Sequence, residues 1–292
     1  MSRPASARGA SERPAPRRRR SAPRWPSRYW ADYTARELAR LPRAQLIAVL
    51  PLGATEQHGP HLPIGTDTAI VDGIVAAAAA RLPDELPVLF LPALAYGKSN
   101  EHAAFAGTLT LPIEVLLPLW HAIAASVARA GVRKLVLFNA HGGQMNAMDI
   151  AVRDLRERLG IVAVSAHWYT LGLPPETVDA HEARHGIHGG ALETSLLLAL
   201  APQRVRRDQI RRFGSLTEQL AHANRFLSIT TTGKLGWQMQ DLNPLGACGD
   251  ATQASAAKGR AIVDFVADRF VELLHEVHRF DPAQLGNAPA WR

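Results

Sequence analysis

The first chemical signal is a run of twelve residues that holds Glu56, His58, His61 and Asp67. Carboxylates and imidazoles are the oxygen and nitrogen ligands of zinc, manganese and related divalent ions. Glu56 and His58 stand at i and i+2, so an extended backbone points both side chains the same way. Gly59, Pro60 and Pro63 disfavour a helix and can fold the chain back, which would return Asp67 to their side. The alternative is a polar loop in which Asp67 serves only the start of the next helix, where a carboxylate is favoured. His61, between two prolines, is expected to face elsewhere.

A second signal is His141, which follows Asn139 and precedes Gly142 and Gly143. Two glycines allow unusual backbone angles and close approach to a ligand. The plainer reading is a glycine turn with an incidental histidine. The densest cluster is 181–195, HEARHGIHGGALETS, with His181, Glu182, His185, His188 and Glu193. HEARH fits the zinc-protease pattern H-E-x-x-H. The extended form of that motif needs glycine at 188 and histidine at 191, where this chain has His188 and Ala191. Gly186 also ends a helix directly after His185. His188 and Glu193 are instead expected to flank the start of the next helix and to project into a site. Lys98, Ser99, Glu101 and His102 could line the same crevice. Cys248, the single cysteine, has no activating base nearby in sequence.

These residues need elements to hold them. LIAVLPLG (46–53), VLFLPALA (88–95), KLVLFNA (134–140) and IVAVSAHWY (161–169) are short apolar runs that read as buried strands. Helical spacing marks 30–41, 66–82, 111–131, 144–160, 190–200 and 256–280. Apolar strands alternating with helices predict a mostly parallel sheet covered on both faces. Ligands in such folds bind beyond the carboxyl ends of the strands. That is where Glu56, His58, Asp67, Glu101, His102 and His141 fall.

Composition narrows the function. Of 292 residues, 33 are Lys or Arg and 26 are Asp or Glu. Nine of the arginines lie in residues 1–28 against one acid, Glu12, so the rest of the chain is nearly neutral. A nucleic-acid-binding face on the folded part is therefore not expected. Residues 1–28 have the composition of a disordered tail, and residues 29–292 form one domain. No apolar stretch of about 7–15 residues follows the arginines, as an export signal requires, so a cytoplasmic protein is expected. No membrane span is expected either. With one cysteine and twelve histidines, any metal site must use nitrogen and oxygen.

Five ordered motifs resemble the creatininase (creatinine amidohydrolase) family: LPLGATEQHGPHLPIGTDT, YGKSNEHAAFAGT, LVLFNAHGGQMNA, HGGALETSLLLAL and GDATQASAAKG. The resemblance covers residues ~30–275 without a missing block. It implies a three-layer α/β/α sandwich with a mostly parallel central sheet, often assembled as a hexamer. It also implies two divalent ions per chain, zinc or manganese, with iron also compatible. By resemblance Asp67 bridges the two ions, Glu56 and His141 hold one, and His58 and Glu193 hold the other. His188 matches the proton-transfer histidine, and Ser99, Glu101, His102, Gly142 and Trp168 fall at substrate-binding positions. Metal ions of this kind lower the pKa of water toward ~7 and polarise a carbonyl. The implied activity is hydrolysis of a C–N bond, an amide or cyclic amide other than a peptide bond, in a small molecule. Family peptidases and lactone hydrolases, or a non-catalytic scaffold, are the alternatives.

Two departures bear on the substrate. Creatinine-hydrolysing members carry a metal-binding glutamate two residues after the strand-end histidine, where this chain has Gly143. Glu193 is then the expected source of the missing carboxylate. They also carry aromatic residues where this chain has Gly142 and Arg184.

Overall fold

A computed structural model describes residues 25–230 and 232–286. Four parallel strands form the central sheet in the order β2-β1-β3-β4: β1 (Ile47–Leu52), β2 (Val88–Phe90), β3 (Lys134–Asn139) and β4 (Val162–His167). Register runs Ile47 opposite both Val88 and Lys134, and Lys134 opposite Val162. The first three strands are buried throughout.

The helices are α1 (Ala35–Arg40), α2 (Thr66–Arg81), α3 (Ile113–Arg129), α4 (Met145–Leu159), α5 (Ala180–His185), α6 (Ala191–Leu200), α7 (Leu216–Ala223), α8 (Met239–Leu242) and α9 (Ala256–Arg279). Alternate strand residues face opposite layers, as the two-residue period requires. Ile47, Val49, Val136 and Phe138 pack with α2, α6 and α9. Ala48, Leu50, Leu135 and Leu137 pack with α3 and α4. Phe138 stacks on Phe270 of α9 with ring centroids 3.8 Å apart. The expected α/β/α sandwich is what forms.

The chain starts at β1, moves to β2 on one side, then crosses to β3 on the other. Strand order therefore reverses at the gap between β1 and β3, and the loops after those two strands open a crevice there.

Helix ends are held by side chains from distant segments. Lys134 Nζ donates to the carbonyls of Val277, His278 and Phe280 at the end of α9. Arg28 donates to the carbonyls of Leu82, Pro83 and Leu86 beyond α2. Trp25 is buried with the α3–α4 layer. Among the described residues, Trp25 and Arg28, both in the segment read as a tail, thus have partners in the folded body that composition does not reveal. The rest of the tail, 1–24, lies outside the described residues. Short elements in 212–250 also form without having been expected: α7, α8 and a pairing of Arg212–Phe213 with Gly249–Asp250. Their apolar spans are too short to show a period. No helix among the described residues is long and apolar enough to cross a membrane.

Gly259 lets α9 approach α6 closely: a Cβ there would overlap the Ser195 carbonyl. Since α6 carries Glu193, this spacing reaches the site. Gly259→Ala should destabilise the fold by about 1–3 kcal/mol through overpacking. The check is thermal unfolding, where a loss of about 2–4 °C per kcal/mol is expected. An unchanged midpoint would mean that the two helices separate freely.

Candidate metal centre

Local geometry brings the first loop together. Gly59 adopts φ +69°, a left-handed turn that suits glycine. The chain then runs back on itself, pairing His58 with Leu62, and Glu56 N–H donates to the Ile64 carbonyl. Asp67 arrives in the first turn of α2, but Gly65 is the N-cap and no side chain caps that helix. The helix-cap reading of Asp67 is therefore excluded.

The Asn139 side chain grips the next turn: its amide donates to the His141 carbonyl and its oxygen accepts from His141 N–H. Gln144 completes the clamp by donating to the same oxygen.

The two segments meet in a buried cluster. Glu56 and Asp67 are each 1% exposed. Asp67 lies between two imidazoles, with Oδ1 3.3 Å from His58 Nε2 and Oδ2 3.3 Å from His141 Nδ1. Glu56 Oε2 is 3.2 Å from His141 Nδ1, and Glu193 Oε2 is 3.8 Å from His58 Nε2. Each ring is oriented by a backbone carbonyl. His58 Nδ1 is 3.1 Å from the Glu56 carbonyl, and His141 Nε2 is 2.7 Å from that of Lys98. When those nitrogens donate, the opposite lone pairs face the carboxylates, the usual support of a metal-binding histidine. His188 Nε2 is likewise 2.7 Å from the Gln57 carbonyl, leaving Nδ1 3.7 Å from Glu56 Oε1.

Three buried atoms here have no hydrogen-bond partner: Glu56 Oε2, His58 Nε2 and Asp67 Oδ2. Buried polar atoms are almost always satisfied. Three orphans converging at one point fit a cation. Glu56–His58–Asp67 and His58–His188–Glu193 each gather ligand atoms within 4.8 Å of one another.

Charge is finely poised. Burial opposes ionisation of Asp67, yet His58 and His141 outweigh it and hold its pKa well below the carboxylate range. Burial also disfavours charge on His58, but Asp67, Glu193 and Glu56 push its pKa up to about 10. His141 is raised against burial by Glu56 and Asp67. Burial pushes Glu193 up to about 7. Burial and the neighbouring His58 hold His188 well below the histidine range, so it is neutral.

Other expected residues land differently. Gly142 borders open space: nothing lies within 4 Å of a Cβ built there. His102 is buried, with Nε2 3.5 Å from Glu56 Oε1 and Nδ1 accepting from the Gln57 amide. Ser99 is fully buried beside His141, its Oγ 3.3 Å from Nε2. Trp168 is 3% exposed and packs in the core against the α2–α6–α9 layer. Trp237 is the aromatic near the site, edge-on to His102 at 6.5 Å. No motif in its segment marks it. His61 stacks on Phe213 and bonds Thr194 Oγ1, as a support for α6. Cys248 is buried and its thiol is pushed up to about 11 by that burial, which excludes a nucleophile.

HEARH has a structural task. α5 ends at Gly186. Glu182 is buried, with one oxygen accepting from Ala191 N–H and the other from Asp250 N–H, both at 2.6 Å. Side chains at Gly186, Gly190 or Gly249 would collide with this carboxylate. Glu182 thus ties the start of α6 to the 248–250 segment, which pairs with His188. Glu182→Ala should cost about 2–6 kcal/mol, since two backbone donors, Ala191 N–H and Asp250 N–H, are left unsatisfied at roughly 1–3 kcal/mol each. Chemical denaturation measures it, and a cost below about 1 kcal/mol would remove Glu182 as the tie.

Comparison with known proteins agrees with this geometry. The creatininase family model, described as creatinine amidohydrolase, matches residues 31–274. The chain is 36% identical over 237 residues to the mycofactocin precursor peptide peptidase of Mycobacterium tuberculosis, covering 79% of this chain and 85% of that one. It is 31% identical over 201 residues to creatinine amidohydrolase of Pseudomonas putida, covering 62% and 73%. A solved manganese creatininase superposes with TM-score 0.68 at 25% identity, covering 87% of this chain and 100% of that chain. The chain belongs to the creatininase family of hydrolases.

Proposed function

We propose that this protein is a divalent-metal-dependent hydrolase of a C–N bond, and that its substrate is a peptide-type amide. The convergence of Glu56 Oε2, His58 Nε2 and Asp67 Oδ2, buried and without a hydrogen-bond partner, carries the metal reading. Glu56, His141 and Asp67 Oδ2 would hold one ion; His58, Glu193 and Asp67 Oδ1 would hold the other. Related creatininase structures contain manganese or zinc, which such ligands suit. Bound there, the ions would acidify water and polarise a substrate carbonyl.

The chain's own residues supply the rest. His188 is neutral and held by the Gln57 carbonyl, so its Nδ1 can take a proton at the attacking side and return it to the leaving nitrogen. His102, fixed by Gln57, presents Nε2–H toward Glu56 Oε1 and keeps that carboxylate in place. Burial of the cluster limits bulk water around the reacting atoms. The peptide reading draws support from the M. tuberculosis peptidase relative. A small cyclic amide is the second reading, favoured by the P. putida relative.

Purified protein should carry about two divalent ions per chain, because Asp67 offers one oxygen toward His58 and the other toward His141. Asp67→Ala should lose both ions and all hydrolysis. Retained turnover in that variant would sink the shared-carboxylate centre. Metal analysis beside a panel of N-acyl peptides, peptide amides, lactams and creatinine gives both answers. Turnover of creatinine but of no peptide would overturn the substrate reading.

Metal-free His58 and His141 are protonated at neutral pH, as their raised pKa values require. Ion binding must displace those protons, so about two should be released and affinity should fall as pH drops. Calorimetric titration of Mn²⁺ in buffers of different ionisation enthalpy tests this. Identical heats in all buffers would show that the histidines were already neutral.

A further inference from the structure

Three groups of ligand-type side chains gather in this cluster, and the centre proposed above draws on two of them. The third is Glu56–His102–His188, whose ligand atoms also lie within 4.8 Å of one another. The rings of His102 and His188 have centroids 4.3 Å apart. Glu56 Oε1 faces both, 3.5 Å from His102 Nε2 and 3.7 Å from His188 Nδ1. What this group can do depends on which ring nitrogens carry hydrogen, and Gln57 decides that.

Two backbone groups fix the pattern. Gly59 N–H can only donate, and it lies 2.9 Å from Gln57 Oε1. The Gln57 amide therefore turns its NH₂ the other way, 2.7 Å from His102 Nδ1. A flipped amide would set its NH₂ against Gly59 N–H, donor against donor. His102 Nδ1 must accept, so the hydrogen of that ring is on Nε2, toward Glu56. The Gln57 carbonyl can only accept, and it lies 2.7 Å from His188 Nε2. That nitrogen carries the hydrogen, and Nδ1 is left as the acceptor. The approach of Gln57 Nε2 to His188 Nε2 at 3.4 Å is then a contact between two donors. Gln57 is buried and held in this pose. Its backbone N–H donates to Thr108 Oγ1, and a Cβ at Gly246 would overlap its Oε1.

We propose that Gln57 is a positioning residue for the hydrolysis, and that it gives two neighbouring histidines opposite tautomers. Its side-chain amide makes His102 a donor, and its carbonyl makes His188 an acceptor. His102 Nε2, with hydrogen on it, has no lone pair for an ion, so the third group is not a metal site. The hydrogen is presented to Glu56 Oε1, which leaves Oε2 as the oxygen that Glu56 offers an ion beside His141. His188 keeps its Nδ1 lone pair for a proton. The inference rests on the metal reading above, and it assigns roles that ligand types alone leave undivided.

The test uses the full chain, with Zn²⁺ for spectroscopy and Mn²⁺ for affinity. With isotope-labelled histidine, long-range proton–nitrogen NMR reads which ring nitrogen bears hydrogen, and His102→Gln identifies the signals of residue 102. Wild type should show hydrogen on His102 Nε2 alone. Gln57→Glu, of equal size but accepting where Gln57 donates, should place one on Nδ1. His102→Leu should keep both Mn²⁺ sites and weaken one by about 10–100-fold, as loss of a ligand's hydrogen-bond partner does. His102→Gln, whose amide can still donate toward Glu56, should recover most of that affinity. On whichever amide of the panel is turned over, Gln57→Glu should lower kcat with KM unchanged. Hydrogen on Nδ1 of His102 in wild type, or a Gln57→Glu spectrum like that of wild type, would overturn the proposal. So would complete loss of one ion in His102→Gln, which would make His102 a ligand. A wild type with the expected tautomers that takes up no Mn²⁺ would overturn the metal reading itself, and this inference with it.

Discussion

Asp67 is a carboxylate buried between two imidazoles, and most of the architecture follows from that placement. A lone carboxylate removed from water would be costly, and here three of them, Glu56, Asp67 and Glu193, share one small volume. Two histidines held with raised pKa values offset part of that negative charge. The remainder shows as buried Glu56 Oε2 and Asp67 Oδ2, which make no hydrogen bond and face His141 Nδ1. That carboxylate–imidazole chemistry is what the proposed divalent-ion centre rests on.

Precision in the cluster comes from backbone rather than from neighbouring side chains. The carbonyls of Glu56, Lys98 and Gln57 each face the rear nitrogen of one imidazole. Those carbonyls belong to loops, and the loops are themselves pinned. Gly59 turns the first one back, Asn139 clamps the turn at His141, and Glu182 joins the approach to α6 to the 248–250 segment. Rings aimed by loops hold their direction only because every loop is anchored to the sheet or to α6. The reversal of strand order between β1 and β3 gives them one crevice to share.

The strands were legible as short apolar runs buried on both faces, and α3, α4 and α9 by helical spacing; α2 and α6, apolar nearly all round, sit in the core layer. Glu56, His58, Asp67 and His141 were legible as carboxylates and imidazoles beyond strand ends, and His188 and Glu193 as the pair flanking the start of α6; the packed chain brings all six together. Ser99 and Trp168 are buried: Ser99 Oγ lies beside His141 Nε2, and Trp168 packs in the core, contacts that their local sequence does not encode. Trp237, Gln57 and the approach of Gly249 to Glu182 had no local signal, since each depends on a neighbour more than forty residues away.

The amino-acid sequence alone determined the layers, the strand ends and the kinds of ligand, since hydrophobic period and residue chemistry are local properties. Tertiary structure decided which lone pairs meet. It turned HEARH from a possible zinc motif into a backbone tie, because Glu182 spends both oxygens on N–H groups from Ala191 and Asp250. It also brought Glu101 over Gly143, two residues 42 positions apart whose meeting no spacing rule anticipates. Such encounters depend on how loops from separate strands fold over one another, and only the packed chain sets that.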